Sequence, residues 1–239
     1  MIVRVLVILC VLTGLAACGS EQPIDPSSVT ALAEKADDGD AEAEYQLGFR
    51  YLEGDGIAID KEKAISLFQS AFNHGLAEAG NQLGTLYYQG TEVKQDYQAA
   101  FRWFNLAAEL GDQDAIANIG MMIENGNSVE KDIAKAVQWY TKAADQGQSM
   151  AQVNLGYIYG NGLIGPHPDY AKQFKYLKMA AELGYAKGQF NLAVIYANGN
   201  SHVNKDINKA IRWIKLAADQ GHLKAIDGYR TLSQQRSRW

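Results

Sequence analysis

The side chains that most often perform catalysis or bind metals are few and scattered in this chain of 239 residues. Its four histidines are His74, His167, His202 and His222. No two of them have the i, i+4 spacing that puts two imidazoles on one helix face around a metal ion. The sequence also contains no Gly-x-Ser-x-Gly elbow and no phosphate-binding loop. We therefore expect no catalytic residues, no bound metal and no cofactor.

Carboxylates are more numerous, with 27 acidic against 22 basic residues and a net charge of −5. Most of them fall at the starts and on the exposed faces of predicted helices, where acidic side chains are solvated and complement the helix dipole. Examples are Glu42, Glu44, Glu78, Glu109 and Asp114. No basic residues are concentrated on one predicted face, so we expect no nucleic-acid partner.

Both cysteines lie in the first eighteen residues, MIVRVLVILCVLTGLAAC. A basic residue, an apolar run and a small-residue stretch in that order describe an export signal, which is too short to remain as a membrane-spanning helix. The sequence Leu-Ala-Ala-Cys resembles the bacterial lipobox, in which the signal is removed and the cysteine is lipidated. The resemblance implies a signal peptide over residues 1–17, lipidation at Cys18 and a tether over residues 18–26. An ordinary signal peptide with an incidental cysteine is the alternative.

The residues after Cys18 indicate where such a lipoprotein would be placed. Gly19 and Ser20 stand where an aspartate often means retention at the inner membrane, so we expect the periplasmic side of the bacterial outer membrane. The other cysteine, Cys10, belongs to the predicted signal, so the mature chain has no pair to form a disulfide. Its stability must then come from packing.

The rest of the chain is built from an internal repeat. Six glycines recur at intervals of 36 or 37 residues: Gly39, Gly75, Gly111, Gly147, Gly184 and Gly221. They divide the chain into five units: 41–76, 77–112, 113–148, 149–185 and 186–222. The extra residue of each of the last two units falls in a polar segment, as expected of a loop insertion.

Each unit shows two amphipathic helical patterns with apolar residues three and four positions apart. In the first unit, one pattern begins near Ala41 and ends at Gly54, and the second covers 60–73. Residues 27–38 and 223–235 are predicted to be single helices that cap the two ends, because a repeat cannot bury its own outer face.

A glycine stands inside the first helix of four units, at a cost of about 1 kcal/mol relative to alanine. These residues are Gly48, Gly84, Gly120 and Gly156, with Ala193 in the fifth unit. We expect them to let the second helix approach closely, opposite the alanines that recur there: Ala71, Ala107, Ala143, Ala180 and Ala217.

The string AEAEYQLGFRYLEGDG, followed by KAISLFQSAFNHG, resembles the Sel-one-like repeat, a relative of the tetratricopeptide repeat. Five such strings follow one another in phase over 41–222. The resemblance implies an all-α fold: an α-solenoid over 27–239, coiled as a right-handed superhelix of helix–turn–helix repeats of 36–37 residues. In such arrays the first helices line the concave face.

On the first helices, positions 5, 9 and 12 of each unit lie off the predicted core stripe and yet are largely apolar. Either they form a groove for a partner, or they are simply further core between neighbouring helices. The groove interpretation selects Tyr45, Phe49, Tyr88, Met121, Tyr157 and Phe190. Position 6 is an amide in every unit: Gln46, Gln82, Asn118, Asn154 and Asn191. That row could hold an extended peptide by its backbone, or satisfy polar groups within the array.

The resemblance implies a non-enzymatic module that binds another protein or an extended peptide and is held at the membrane by the lipid on Cys18. Similar proteins serve as scaffolds for envelope machinery, or as periplasmic immunity proteins that neutralise secreted toxins such as phospholipases. The alternative is an enzyme or binder that acts on peptidoglycan or β-lactam-type ligands. That alternative has been discussed for relatives with one cysteine pair per unit, which this chain lacks.

Overall fold

The computed structural model describes residues 26–236, and this part of the chain consists of twelve α-helices without a strand. The first helices of the five units are α2 (Ala41–Glu53), α4 (Ala77–Gln89), α6 (Gln113–Asn125), α8 (Ser149–Gly160) and α10 (Ala186–Asn198). The second helices are α3 (Lys61–Asn73), α5 (Tyr97–Glu109), α7 (Ile133–Asp145), α9 (Tyr170–Glu182) and α11 (Ile207–Asp219). The predicted capping helices are α1 (Pro26–Asp37) and α12 (Leu223–Arg236).

Local sequence explains where the helices begin and end. Every second helix starts after an aspartate whose Oδ1 accepts a backbone N–H three residues on, as Asp60 does from Lys63 at 2.9 Å. The first helix α2 ends at Gly54, whose φ of 75° is the left-handed conformation that glycine adopts without strain. The glycine predicted to end α8 is displaced, because that helix stops at Gly160, two residues before Gly162.

Each helix packs against the next one along the chain, so every unit is stabilised by contacts with its neighbours. First helices also contact the first helix of the next unit, as α4 does with α6 and α8 with α10. The first helices therefore lie on the inner side of the curve. We call the exposed surface of α2, α4, α6, α8 and α10 the inner wall, and that of α3, α5, α7, α9 and α11 the outer wall. The fold is an all-α solenoid, as predicted.

The core lies between the two walls and runs the length of the array. Position 7 of every first helix is buried, at 4% exposure or less, and holds Leu47, Leu83, Ile119, Leu155 and Leu192. The alanines that recur on the second helices, such as Ala71 and Ala107, are fully buried beside them. Apolar clusters that follow one another along the array, without a disulfide in the described chain, order the repeats.

The recurring glycine of the first helix does allow a close approach, but the partner predicted for it is wrong. A Cβ on Gly84 would lie 2.5 Å from Cδ1 of Phe104, and one on Gly48 would lie 2.7 Å from Cε1 of Phe68. In the first three units the close neighbour is thus an aromatic ring one turn before the alanine, and in the fourth unit Leu177 takes the place of the ring. The recurring alanine of the second helix lies instead near the start of the following first helix. A Cβ on Gly188, for example, would be 2.6 Å from Cβ of Ala180.

Glu44 also departs from its prediction, because it is buried at 4% exposure and is not a solvated residue of the helix start. Its carboxylate accepts a hydrogen bond from Ser70 Oγ at 2.5 Å and contacts His74 Nδ1 at 2.8 Å. Both partners lie at the end of α3. A buried carboxylate with two partners ties the two helices of the first unit together.

No helix within residues 26–236 is both long and apolar enough to cross a bilayer. The predicted signal peptide, Cys18 and most of the tether lie outside the described residues.

Candidate partner-binding surface

The aromatic residues predicted on α2 belong both to the wall and to the core beneath it. The rings of Tyr45 and Phe49 are 5.0 Å apart, edge to face. Each also contacts the buried ring of Phe68, with centroids at 5.6 and 5.1 Å. Both residues are half-buried, so they present one face to the inner wall and use the other for packing.

The other predicted aromatic and apolar positions differ in exposure. Tyr157 on α8 is the most open, with 58% of its surface exposed. Tyr88 is half-buried beside Tyr97, at a centroid distance of 5.3 Å. Met121 packs against the central core, and Phe190 stacks on the ring of His222 at 4.8 Å. All four remain accessible in part, which a contact surface requires.

At two positions of the same rows the chain simply has more core. Ala117 is fully buried and Val153 is 3% exposed, although both occupy position 5, as Tyr45 does. The inner wall is therefore not a uniform apolar groove. It carries the half-buried rings of Tyr45 and Phe49 on α2 and Tyr88 on α4, and the more exposed ring of Tyr157 on α8.

The amide row serves different local purposes along the array. Asn118 Nδ2 donates to Asn81 Oδ1 at 2.9 Å, which joins α6 to α4. Gln46 is exposed and donates to Glu42 at 2.7 Å within its own helix. Asn154 lies beside the hydroxyl of Tyr140, a buried group that also donates to Glu124.

The remaining two amides, Gln82 and Asn191, are half-buried on the inner wall. Part of the row thus satisfies groups inside the array, while Gln46, Gln82 and Asn191 are available to a partner.

Negative charge gathers on the inner wall around Tyr45. Burial raises the pKa of the Tyr45 hydroxyl to about 12, with further contributions from Glu78, Glu42, Asp112 and Asp114. These residues belong to three successive units, so the curve brings their side chains within electrostatic reach of one hydroxyl.

A cleft of about 510 Å³ opens in the inner wall next to these carboxylates. The residues that line it include Asn81, Asn118, Asp114, Gln148, Met150 and Tyr185. Its lining is about equally polar and apolar, with amide and carboxylate groups beside Met150 and Tyr185, which suits a partner side chain that combines an aliphatic stem with a polar or charged end.

The one Ser–Glu–His contact in the described chain does not form a nucleophilic site. Glu44 lies between Ser70 and His74, so the carboxylate, and not the imidazole, contacts the hydroxyl. Activation of a serine needs a base such as histidine within hydrogen-bond reach of its oxygen. Residues 26–236 also contain no group of three His, Cys, Asp or Glu side chains placed to hold a metal.

The geometry defines a class of protein: an all-α solenoid of helix–turn–helix repeats, with an accessible inner wall of mixed aromatic and polar character. The family model described as the Sel1 repeat matches residues 41–76, 77–112, 113–148, 149–185 and 186–222. The chain therefore belongs to the Sel1 repeat family. Proteins of this family mediate protein–protein interactions, and the fold is generally non-catalytic.

Solved structures similar to the chain share this fold. A Sel1 repeat protein from Oxalobacter formigenes is 36% identical, with a TM-score of 0.75, over 82% of this chain and 80% of that one. A protective antigen of uropathogenic Escherichia coli strains is 29% identical, with a TM-score of 0.70 over 88% of this chain. The match covers only 45% of that antigen, so the present chain spans less than half of its length.

An immunity protein from Pseudomonas aeruginosa is 19% identical, with a TM-score of 0.56, over 81% of this chain and 74% of that one. At this identity the likeness concerns the fold alone. A search of curated proteins gave no significant match.

Proposed function

We propose that the protein is a lipid-anchored periplasmic adaptor that binds a partner protein or an extended peptide on its inner wall. The observation that carries the proposal is the open aromatic and amide surface of that wall. Tyr157 is 58% exposed there, and Tyr45, Phe49 and Tyr88 keep part of their rings accessible. Exposed aromatic rings supported from behind by core residues are typical anchors of protein interfaces.

The anchor completes the proposal. Cys18 in the lipobox-like sequence would attach the array to the periplasmic side of the outer membrane, and the short tether would keep the array near it. Stable attachment needs more than one acyl chain, which lipobox cysteines carry.

Two roles fit such an anchored binder: a scaffold of an envelope machine, and an immunity protein that neutralises a secreted toxin. The Pseudomonas aeruginosa protein shows that this fold occurs in an immunity protein, although at 19% identity it shares with this chain the fold alone. Both roles need the same inner-wall contact and differ only in the partner.

The test is partner capture from native envelopes by the wild-type protein and by two matched variants. Tyr157→Ser removes the exposed ring of the inner wall, and Tyr170→Ser removes a half-exposed ring from the outer wall. We expect Tyr157→Ser to weaken capture of the same partner by about 10-fold or more, the range of an interface anchor, and Tyr170→Ser to leave it unchanged. Equal capture by all three proteins would contradict the inner-wall assignment.

Lipidation is tested separately with Cys18→Ser, which should move the protein from the membrane pellet to the soluble fraction. Persistence of this variant in the pellet would count against the anchor without affecting the binding proposal.

A further inference from the structure

The two walls differ in charge. The five first helices carry only two basic residues, Arg50 and Lys187, but six carboxylates, one of which, Glu44, is buried. The five that are at least partly exposed are Glu42, Glu53, Glu78, Asp114 and Glu124. The five second helices carry eleven basic residues and five acidic ones. The five aspartates that cap the second helices bring the net charge of the outer wall near zero. Asp40 and Asp112, which cap first helices, make the inner wall still more negative.

The charge also changes sign along the inner wall. The second residue of each first helix occupies the same register position, and α12 has the equivalent position at the C-terminal end. From α2 to α12 this position holds Glu42, Glu78, Asp114, Met150, Lys187 and Lys224. All of them except Met150 are exposed. One row of side chains thus runs from acidic to basic along the array.

Helix stability accounts for only half of this row. An acidic residue in the first turn complements the helix dipole, and this explains Glu42, Glu78 and Asp114. A lysine at the same place opposes the dipole, so Lys187 and Lys224 run against the preference of their own helices. The reversal of charge therefore needs a reason other than the folding of each helix.

These charges are also not neutralised within the protein. None of the five charged residues in the row takes part in an ion pair within residues 26–236; Glu42 and Asp114 have neutral amide partners, Gln46 and Gln148. On the outer wall, by contrast, lysines pair with nearby aspartates, as Lys215 does with Asp219 at 2.6 Å.

The carboxylates of the first three units moreover repel one another. Asp112 is partly buried, and its pKa is raised by that burial, with Asp114 and Glu78 adding to the shift. Cationic groups placed beside them would relieve the repulsion, and the neighbouring cleft lined by Asn81 and Asn118 offers room for a side chain.

On the basis of the proposed function, we infer that the partner presents an extended segment with separated charges to the inner wall. Its basic residues lie against the first three units, at Glu42, Glu78 and Asp114. Its acidic residues lie at the opposite end, against Lys187 and Lys224. The row of charges fixes the direction of the segment along the array. Apolar contact comes from the rings of Tyr45, Phe49 and Tyr88 at the acidic end and from Tyr157 between the two ends.

The experiment uses two fluorescent peptides of the same composition, made of Lys, Glu, Val and Ser. In the segregated peptide all lysines precede all glutamates, and in the mixed peptide the two alternate. Binding to the purified chain is measured by fluorescence anisotropy at about 50 mM and about 300 mM salt, because exposed charge pairs are screened over this range.

Three double variants test the residues. E78Q/D114N removes two charges of the acidic end, and K187Q/K224Q removes those of the basic end. E62Q/E109Q is the matched control, since it neutralises two exposed carboxylates of the outer wall. At low salt we expect the segregated peptide to bind several-fold more tightly than the mixed one. Each inner-wall variant should lose about 3- to 10-fold in affinity for the segregated peptide, and the control less than about 2-fold.

Equal affinity for the two peptides, or an equal loss in E62Q/E109Q, would overturn the inference. So would a preference that persists unchanged at high salt, or light scattering that shows a second copy of the chain occupying the wall in place of the peptide. These results are distinguishable from failure of the proposed function. If the native partner is still captured through Tyr157 while both inner-wall charge variants capture it normally, only the charge inference is lost.

Discussion

Asn118 on α6 donates a hydrogen bond to the side chain of Asn81 on α4, over 2.9 Å and across the boundary between two repeats. In a solenoid, the contact between successive repeats decides whether the array is ordered. This bond is made on the inner wall, where both amides also line the cleft. Structure and binding surface therefore share the same side chains.

Asn118→Ala should destabilise the array by about 1 kcal/mol, the net value of a typical hydrogen bond, because Asn81 loses its donor. For a chain of this size the melting temperature should fall by about 2–4 °C. Gln46→Ala is the matched control, since Gln46 holds the same register position but bonds only to Glu42 on its own exposed helix face. Equal melting temperatures for the two variants would show that the amide bond between repeats contributes nothing.

Gly84→Ala should destabilise the array by about 1–3 kcal/mol, because its new Cβ would meet Cδ1 of Phe104 at 2.5 Å. The fifth unit suggests how a smaller neighbour could make room for this Cβ. There Ala193 holds the position of Gly84 and Ile214 holds that of Phe104, and both belong to one buried cluster.

The double variant Gly84→Ala/Phe104→Ile should therefore cost less than the sum of the two single changes in thermal or denaturant unfolding. If the losses of stability were additive, the ring of Phe104 would not be the reason that Gly84 has no side chain.

Glu44→Ala should lower the free energy of unfolding by about 1–3 kcal/mol, because Ser70 and His74 lose the buried carboxylate that they contact. Glu44→Gln should cost less, since the fourth and fifth units hold buried glutamines, Gln152 and Gln189, at this place. Glu42→Ala, at an exposed position of the same helix, serves as the control in thermal unfolding. A loss at Glu42 as large as that at Glu44 would contradict the role of burial.

The repeat pattern predicts the helices closely because it rests on period and on backbone chemistry. The interval of 36 or 37 residues locates the units, and glycines such as Gly54, with φ of 75°, end helices where only a left-handed residue fits. The two capping helices follow from the same logic. Each was predicted within a residue or two of its observed bounds, α1 (Pro26–Asp37) and α12 (Leu223–Arg236).

Contacts between helices were harder to predict than the helices themselves. Spacing shows that Gly84 is close to the second helix, but it does not show which of Phe104 and Ala107 lies opposite, since both share one stripe. Burial of Glu44 was missed because a carboxylate at a helix start is usually solvated. The signal for it was available, since the equivalent position in other units is Gly80, Ile116 or glutamine and never another charge.

The inner-wall charge row cannot be recognised in any single helix, because it becomes visible only when the second residues of the first helices are compared from unit to unit. A search of each helix alone finds an acid at a helix start in Glu78 and nothing unusual. The comparison with Lys187 and Lys224 makes the reversal evident.

Replacement of Asp112 by Asn should stabilise the protein at neutral pH. Burial is the main reason that the pKa of Asp112 is raised in the folded state, and Asp114 and Glu78 add to it. A carboxyl with a raised pKa favours folding while it is protonated, and this contribution is lost as pH rises through the folded-state pKa. Asn resembles the protonated form and can still accept the capping N–H of Ala115. The gain in melting temperature should disappear once the pH is below the unfolded-state pKa of Asp112.

Asp169→Asn is expected to destabilise the protein at neutral pH, the opposite of the effect expected for Asp112→Asn. The backbone N–H of Lys172 is the first cause that lowers the pKa of Asp169, so its ionised form favours folding above the unfolded-state pKa, and this contribution is lost as pH falls. Thermal melts of both variants and the wild type between about pH 3 and pH 7 should therefore diverge in opposite directions as pH rises. If both substitutions lowered the melting temperature at pH 7, Asp112 would be acting as an ordinary helix cap whose ionised form favours folding, and burial of its carboxyl would not oppose ionisation.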